Sequence, residues 1–412
     1  ETGVGAETQV QRHYPAGPAL AHVLGYTHPK YGNTGIEAAA NLELNGGVRA
    51  SLEDWALLGR QLVTADNRVK GRDVRLTLDA ELQIQAYRML DGRRGAVVML
   101  DPATGALRVL ASSPSFDPNR MDVALSQAKD PEARLLNRAT AGLYPPGSTF
   151  KVVIAAAALD RRIAGFMDTP ADGFTTSSLY PPIRDHDYYE AQRQGRTWPG
   201  HGRIGLEQAL VKSSNVYFAK LGLALGHQGF AATVEHLGFN DELLLEPAFS
   251  APRAVVRGRI PDIRDSDRYG LAQASIGQGK VLVTPLQMAL VTGAIANQGI
   301  AMQPRLMAAA PPQALARFMS ADTALSLSAM MRRAVIEGTG RGIDTPGLAI
   351  AGKTGTAQTG QADSHSWFIG FAPIDRPRLV VVVLVEHAGY GSAVAAPIAR
   401  DLLVLARQRG ML

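Results

Sequence analysis

The chain has 412 residues, 46% hydrophobic and 19% charged, a globular balance that excludes a disordered polypeptide. Its net charge of +5 is mild for that length, and no run of Lys and Arg forms a nucleic-acid patch. The absence of cysteine excludes disulfides, thiolate chemistry and cysteine-bound zinc.

No apolar run reaches the roughly 18 residues that span a bilayer; the longest are 152–159 and 379–385. The opening Glu1-Thr2-Gly3 reads as a processed or engineered start, so an anchoring or export segment is expected upstream of it. The first 75 or so residues are Gly-rich and turn-rich, with a helix expected over 51–63 behind Ser51 and Asp54. Residues 73–79 alternate like a strand, and 80–90 read as a helix capped by Asp79. A hairpin follows, with strands over 95–100 and 106–111 around the turn Asp101-Pro-Ala-Thr-Gly105. Helical patterns fill the middle, over 150–160, 206–225 and 285–297. A strand centred on 350–356 precedes a second hairpin, 367–371 with 379–386, and a helix over 393–409 closes the chain. Strands at both ends with helices between predict an α+β architecture in which the two ends pair into one mostly antiparallel central sheet covered by helices.

Three short patterns carry chemistry. Ser148-Thr-Phe-Lys151 follows Tyr144-Pro-Pro-Gly147 and runs into an apolar helix. The Pro-Pro-Gly stretch predicts a helix start at Ser148, where backbone N–H groups favour developing negative charge. Lys151 falls one turn on, on the same face, and burial would leave it free to accept the Ser148 proton. An ordinary helix cap is the competing reading of Ser148. Ser126-Gln-Ala-Lys129 has the same spacing, but Asp130-Pro131 ends its helix at once, so Ser126 reads as surface. The second pattern, Ser213-Ser-Asn215, lies inside 206–225, and a plain cap competes there too. The third is Lys353-Thr354-Gly355, followed by Thr356. On a strand Lys353 and Gly355 share one face and the two threonines the other, and Gly355 would let a ligand approach the backbone.

The order Ser-x-x-Lys, Ser-x-Asn, Lys-Thr-Gly is that of penicillin-binding proteins and class A β-lactamases. With these motifs the chain resembles the monofunctional, class B penicillin-binding protein transpeptidases. The likeness extends to Arg94-Gly-Ala-Val-Val-Met-Leu-Asp-Pro-Ala-Thr-Gly105, Ser113-Pro-Ser-Phe-Asp-Pro-Asn119, Ile276-Gly-Gln-Gly279, Thr284-Pro-Leu-Gln-Met288 and Trp367-Phe-Ile-Gly-Phe-Ala-Pro373. Gly25-Tyr26, Tyr31-Gly32 and Gly35-Ile-Glu37 resemble the end of that family's N-terminal pedestal. The resemblance implies the penicillin-binding fold over 76–412, with 1–75 as the remnant of a dimerisation-type pedestal.

It also implies a function. Ser148 would attack the carbonyl between two D-alanines of a peptidoglycan stem peptide while Lys151 takes its proton. Lys353 would help keep Lys151 neutral. Ser213 would relay the proton and Asn215 would orient Lys151 and the substrate amide. The backbone N–H groups of Ser148 and Thr356 would hold the oxyanion, and Lys353, Thr354 and Thr356 the terminal carboxylate. An amine of a second stem would resolve the acyl-enzyme, and β-lactams would acylate the same serine. No metal or organic cofactor is required. The implied setting is the outer face of the cytoplasmic membrane, beside a SEDS-family glycan polymerase.

Alternatives stay in view. A D,D-carboxypeptidase, a β-lactamase or a β-lactam sensor would share the three motifs, although no motif places a deacylating base and Glu235 and Glu242 read as surface. Gly347-Leu-Ala-Ile-Ala-Gly-Lys-Thr354 formally matches a phosphate-binding loop, but a polar stretch ending in Pro346 precedes it and Gly355 follows it. Asp185, His186, Asp187 and His201 offer mixed oxygen and nitrogen donors in one region; solvated loop residues are the better reading than a metal site, since no ligand spacing is diagnostic.

Overall fold

A computed structural model describes residues 12–46, 71–126, 130–245, 253–360 and 363–412. Its centre is a five-stranded sheet of β1 (Gly95–Leu100), β2 (Leu107–Ser113), β3 (Ala351–Ala357), β4 (His365–Ala372) and β5 (Leu379–Val385). The order is β3-β4-β5-β1-β2, and every neighbouring pair is antiparallel. The two ends of the chain meet where Val382 pairs with Val98.

Period-two alternation divides the sheet between two cores. Val98, Ile369 and Val382 face one hydrophobic cluster, and Val97, Phe368 and Val383 face the other. Because both faces are covered, β5 is buried throughout and reads as an unbroken apolar run rather than an alternating one. Each of its valines is worth roughly 1.5–3 kcal/mol relative to exposure.

The helices that matter for the site are α1 (Ala80–Leu90), α2 (Lys151–Asp160), α3 (His186–Arg193), α4 (Leu206–Lys212), α5 (Asn215–His236), α6 (Pro285–Ala296), α7 (Ala321–Ile336) and α8 (Ala395–Gln408). Residues of α2, α5 and α6 fill the first cluster, and those of α1 and α8 the second. Asp79 caps α1 by accepting from Leu82 N at 2.9 Å. Thr284 and Gln287 close a capping box at the start of α6.

Two expected elements differ. Residues 73–79 make a single bridge, Leu76 with Met307, instead of a strand. Thr77 explains the alternation: its N–H donates to Leu306 O at 2.7 Å and its hydroxyl to Leu107 O at 2.7 Å, so the segment is extended and half-buried without joining the sheet. Residues 206–225 are two helices, broken at Ser213, and α5 runs on to His236 with a kink at Gly226.

The N-terminal helix Pro18–Leu24 is tied to the sheet by Gln83, whose Nε2 donates to Ala19 O at 2.9 Å and Leu110 O at 3.1 Å. The helix expected over 51–63 lies outside the described residues. Among the described residues no helix is long and apolar enough to cross a membrane.

Candidate active site

Ser148 sits in a 3-10 turn, Gly147–Phe150, that leads directly into α2. Side chains three residues apart eclipse one another in such a turn, which aligns Ser148 with Lys151. The hydroxyl caps nothing: neither the turn nor α2 has a side-chain cap bond, and among the described residues no hydrogen bond engages the Ser148 Oγ. The ordinary cap reading of Ser148 is thereby removed. Gly147 makes the turn possible. Its φ of +53° lies in the left-handed region, and a Cβ there would stand 2.8 Å from Thr356 O. The serine turn is therefore pressed against β3.

Ser213, Ser214 and Asn215 form the break between α4 and α5, not the interior of one helix. Ser213 adopts a left-handed φ of 59°, which ends α4. Ser214 caps α5 by accepting from Tyr217 N at 3.1 Å, and Asn215 is the first residue of α5. The break turns Ser213 and Asn215 towards Lys151. Lys151 Nζ donates to Ser213 O at 2.6 Å and to Asn215 Oδ1 at 2.7 Å, and lies 3.4 Å from Ser213 Oγ. Lys353 Nζ reaches the same hydroxyl from β3, at 2.8 Å. The three motifs thus meet at Ser213.

Both lysines are buried. Burial pushes the Lys151 amine down from 10.5 to about 7, with the carboxylate of Asp185 working against that shift. Lys353 is pushed well below its ordinary range by burial and then by the charge of Lys151. The expected help from Lys353 in keeping Lys151 neutral is not found: burial lowers Lys151, and the like-charge pressure falls on Lys353. A neutral Lys151 has two N–H groups and one lone pair. The two short bonds, to Ser213 O and Asn215 Oδ1, use the N–H groups and leave the lone pair for a proton from elsewhere.

On β3 the expected faces hold. Lys353 points to Ser213, while Thr354 Oγ1 lies 2.6 Å from Thr339 Oγ1 and Thr356 Oγ1 accepts from Gly391 N at 3.4 Å. Gly355 makes room for the protein itself. A Cβ there would meet Thr149 Cγ2 at 2.8 Å and Pro146 O at 3.1 Å, so the missing side chain lets the serine turn approach. The phosphate-loop match fails on the same strand. Lys353 lies within the ladder, paired with Ile369, and β3 runs on to Ala357 where a helix would be needed.

The aspartate-histidine region also departs from expectation. The Asp185 side chain is 2% exposed and that of His201 5%, so neither is a solvated loop residue. Asp185 is turned inward by three donors at the start of α5: Ser214 Oγ at 2.9 Å, Val216 N at 3.1 Å and Asn215 N. His186 and Asp187 stay half exposed. Among the described residues no three His, Asp or Glu side chains are arranged to hold a metal ion.

The sequence named Ser148, Lys151, Ser213, Asn215 and Lys353; hydrogen bonds join the last four, and Ser148 lies on the turn that leads into the helix of Lys151. It missed Thr339, which faces Thr354, and the inward turn of Asp185. Thr339 lies between two glycines in a loop, with no pattern to mark it. Asp185 stood out in the sequence only as one of four oxygen and nitrogen donors, a pattern that does not reveal its turn towards α5. Glu235 and Glu242 are exposed as expected, on α5 and the segment after it.

The model of the penicillin binding protein transpeptidase domain matches residues 95–404, and that of the penicillin binding protein A dimerisation domain residues 3–65. The chain is 34% identical to the peptidoglycan D,D-transpeptidase PbpA of Mycolicibacterium smegmatis, over 97% of this chain and 84% of that protein. It is 31% identical to the peptidoglycan D,D-transpeptidase MrdA of Acinetobacter baumannii, over 95% of this chain and 66% of that one. Penicillin-binding protein A from M. tuberculosis, solved as a ceftriaxone acyl-enzyme complex, superposes with a TM-score of 0.84 at 29% identity, covering 96% of this chain and 92% of that chain. That breadth of likeness, in sequence and in fold alike, makes this chain a member of the penicillin-binding protein transpeptidase family.

Proposed function

We propose that the chain is a peptidoglycan D,D-transpeptidase that works through a Ser148 acyl-enzyme. One observation carries the reading: two buried lysines converge on the Ser213 hydroxyl beside an unengaged, half-buried serine on a 3-10 turn. Ser148 Oγ bonds to the carbonyl carbon of the penultimate D-alanine as its proton passes to Lys151. The tetrahedral oxyanion lies between the N–H groups of Ser148 and Thr356, whose segments are in contact. The bond to the last D-alanine then breaks, and Ser213 passes a proton from Lys151 to the departing amine. An amine of a second stem attacks the ester, Ser148 recovers its proton, and a cross-link remains.

Lys353, Thr354 and Thr356 hold the substrate's terminal carboxylate through charge-assisted bonds. An arriving carboxylate also supplies the negative charge that Lys353 lacks, and so draws a proton onto it. The substrate polymer places the reaction outside the cytoplasmic membrane. The partner we propose is a SEDS-family glycan polymerase, because cross-linking consumes strands that another enzyme must make. Within this reading residues 76–412 form the catalytic domain and 1–75 belong to the pedestal.

The test is intact-mass measurement after incubation with a penicillin. One penicilloyl adduct per chain is expected in the wild type and none in Ser148→Ala. Labelling that persists in Ser148→Ala overturns the reading.

A further inference from the structure

We infer that Asp185 is a positioning residue of this site: its buried carboxylate clamps the turn that carries Ser213 and Asn215, and its negative charge stands behind the amine of Lys151. The inference rests on the Ser148 reading above and deepens it.

The clamp has two arms. One Asp185 oxygen accepts from Ser214 Oγ at 2.9 Å, and the other accepts from Val216 N at 3.1 Å and from Asn215 N. Ser214 Oγ in turn accepts from Tyr217 N at 3.1 Å. The first N–H groups of α5 are therefore satisfied by one carboxylate and the hydroxyl it orients, at the helix end whose partial positive charge suits an anion. The neighbouring Arg184 adds the second arm: its carbonyl accepts from Asn215 Nδ2 at 2.9 Å. That bond fixes the amide so that Oδ1 faces Lys151 Nζ at 2.7 Å. Residues 184 and 185 thus hold both the backbone and the side chain of Asn215, and with them the left-handed Ser213.

Charge is the second element. Facing Asp185 are His201 from strand Gly200–Ile204 and Lys151 from α2. Asp187 of α3 approaches the same His201 nitrogen as Asp185, Lys212 lies at the end of α4, and Lys353 reaches in from β3 through Ser213. The His201 Nε2 stands 3.6 Å from an oxygen of each aspartate, and burial pushes its imidazole down against the pull of the two carboxylates. Asp185 is the buried anion acting on Lys151, and it holds the lysine's proton against the opposing effect of burial. Too little of this charge would leave Lys151 a weak base; too much would leave it protonated.

The experiment follows the rate of acylation by a fluorescent penicillin against pH in the whole chain, with Ser148→Ala as the control for the underlying reading. Asp185→Asn keeps the shape and removes the charge. Its acylation should fall about tenfold or more, the loss of a charge-assisted hydrogen bond, and the midpoint of its pH profile should move to lower pH. Asp185→Glu keeps the charge and should retain the wild-type midpoint even where its rate is reduced. A Ser214→Ala chain, with the charge intact and one bond lost, should slow without moving the midpoint. A midpoint unchanged in Asp185→Asn overturns the inference, as does a midpoint displaced in Asp185→Glu; the latter decides the matter if Asp185→Asn does not fold. If Ser148→Ala still labels, the parent reading fails instead.

Discussion

Lys353 Nζ donates to the Ser213 hydroxyl at 2.8 Å, and Lys151 Nζ lies 3.4 Å from that same oxygen on its other side. One hydroxyl therefore joins the amine of the nucleophile's helix to the amine of the edge strand. Two buried amines so linked titrate as a pair, and a single proton can be handed along Lys151, Ser213 and Lys353 without crossing solvent.

Ser213→Ala should expose how much depends on that bridge. It removes the hydroxyl and keeps the backbone carbonyl that binds Lys151. Acylation by a penicillin should slow by on the order of a hundredfold, the low end of what proton transfer by a placed group contributes. Stopped-flow acylation decides it: a rate within about threefold of wild type would remove Ser213 from the proton path.

Lys151 sets the pH dependence. It is a base only when unprotonated, and burial brings it from 10.5 to about 7. The acylation rate should rise with pH through about 7 and level off above it, and Lys151→Ala should be slow and flat. A rise centred near 10 would mean that Lys151 behaves as a solvated lysine.

Stability carries the opposite face of the same shift. Below about 7 Lys151 is protonated in the folded and unfolded chain alike, and its burial penalty is full. Between about 7 and 10.5 the unfolded chain binds more protons, so stability from this group rises with pH. Lys151→Met should therefore raise the melting temperature most at pH 6 to 7, with the gain shrinking towards pH 10. Calorimetry at three pH values tests the trend; a gain that grows with pH refutes it.

Gly147→Ala should damage acylation more than stability suggests. The new Cβ meets Thr356 O at 2.8 Å at a left-handed φ, so the serine turn must lift from β3. Strain of about 1–3 kcal/mol is expected, together with loss of the oxyanion geometry. Near-normal acylation in a folded Gly147→Ala chain would show that the contact with Thr356 is dispensable.

A bound penicillin should leave slowly. The buried carboxylate nearest the site is Asp185, and Ser214, Asn215 and Val216 take up its oxygens. Glu235 and Glu242 are exposed elsewhere. With no carboxylate base poised to activate water among the described residues, the adduct should last many minutes to hours by mass spectrometry. Turnover faster than about once per second, ordinary for an enzyme, would reveal a β-lactamase.

Much of this was legible in the sequence because the signals are local. A Pro-Pro-Gly break before Ser148, a buried valine run at 379–385 and an Asp cap at 79 each act over a few residues. The faces of β3 followed from period two alone. What escaped was long-range. The split at Ser213 needs a left-handed residue that no propensity flags, and the inward turn of Asp185 depends on the start of a helix some thirty positions away. Residues 73–79 misled because a half-buried extended segment and a strand leave the same alternation.

The pairing of β1 with β5 has a kinetic side. Contacts between strands so distant along the chain raise the contact order, and such sheets close late and slowly. A chain that emerges N-terminus first presents β1 and β2 long before β3, β4 and β5 exist to flank them. Until then Val97 and Val98 have half a sheet and a large apolar surface for chaperones to guard. Ser148 and Lys151 emerge in that interval too, without the edge strand that their turn leans on. A nascent chain halted before residue 351 would thus carry the nucleophile and its base and still be blind to penicillin.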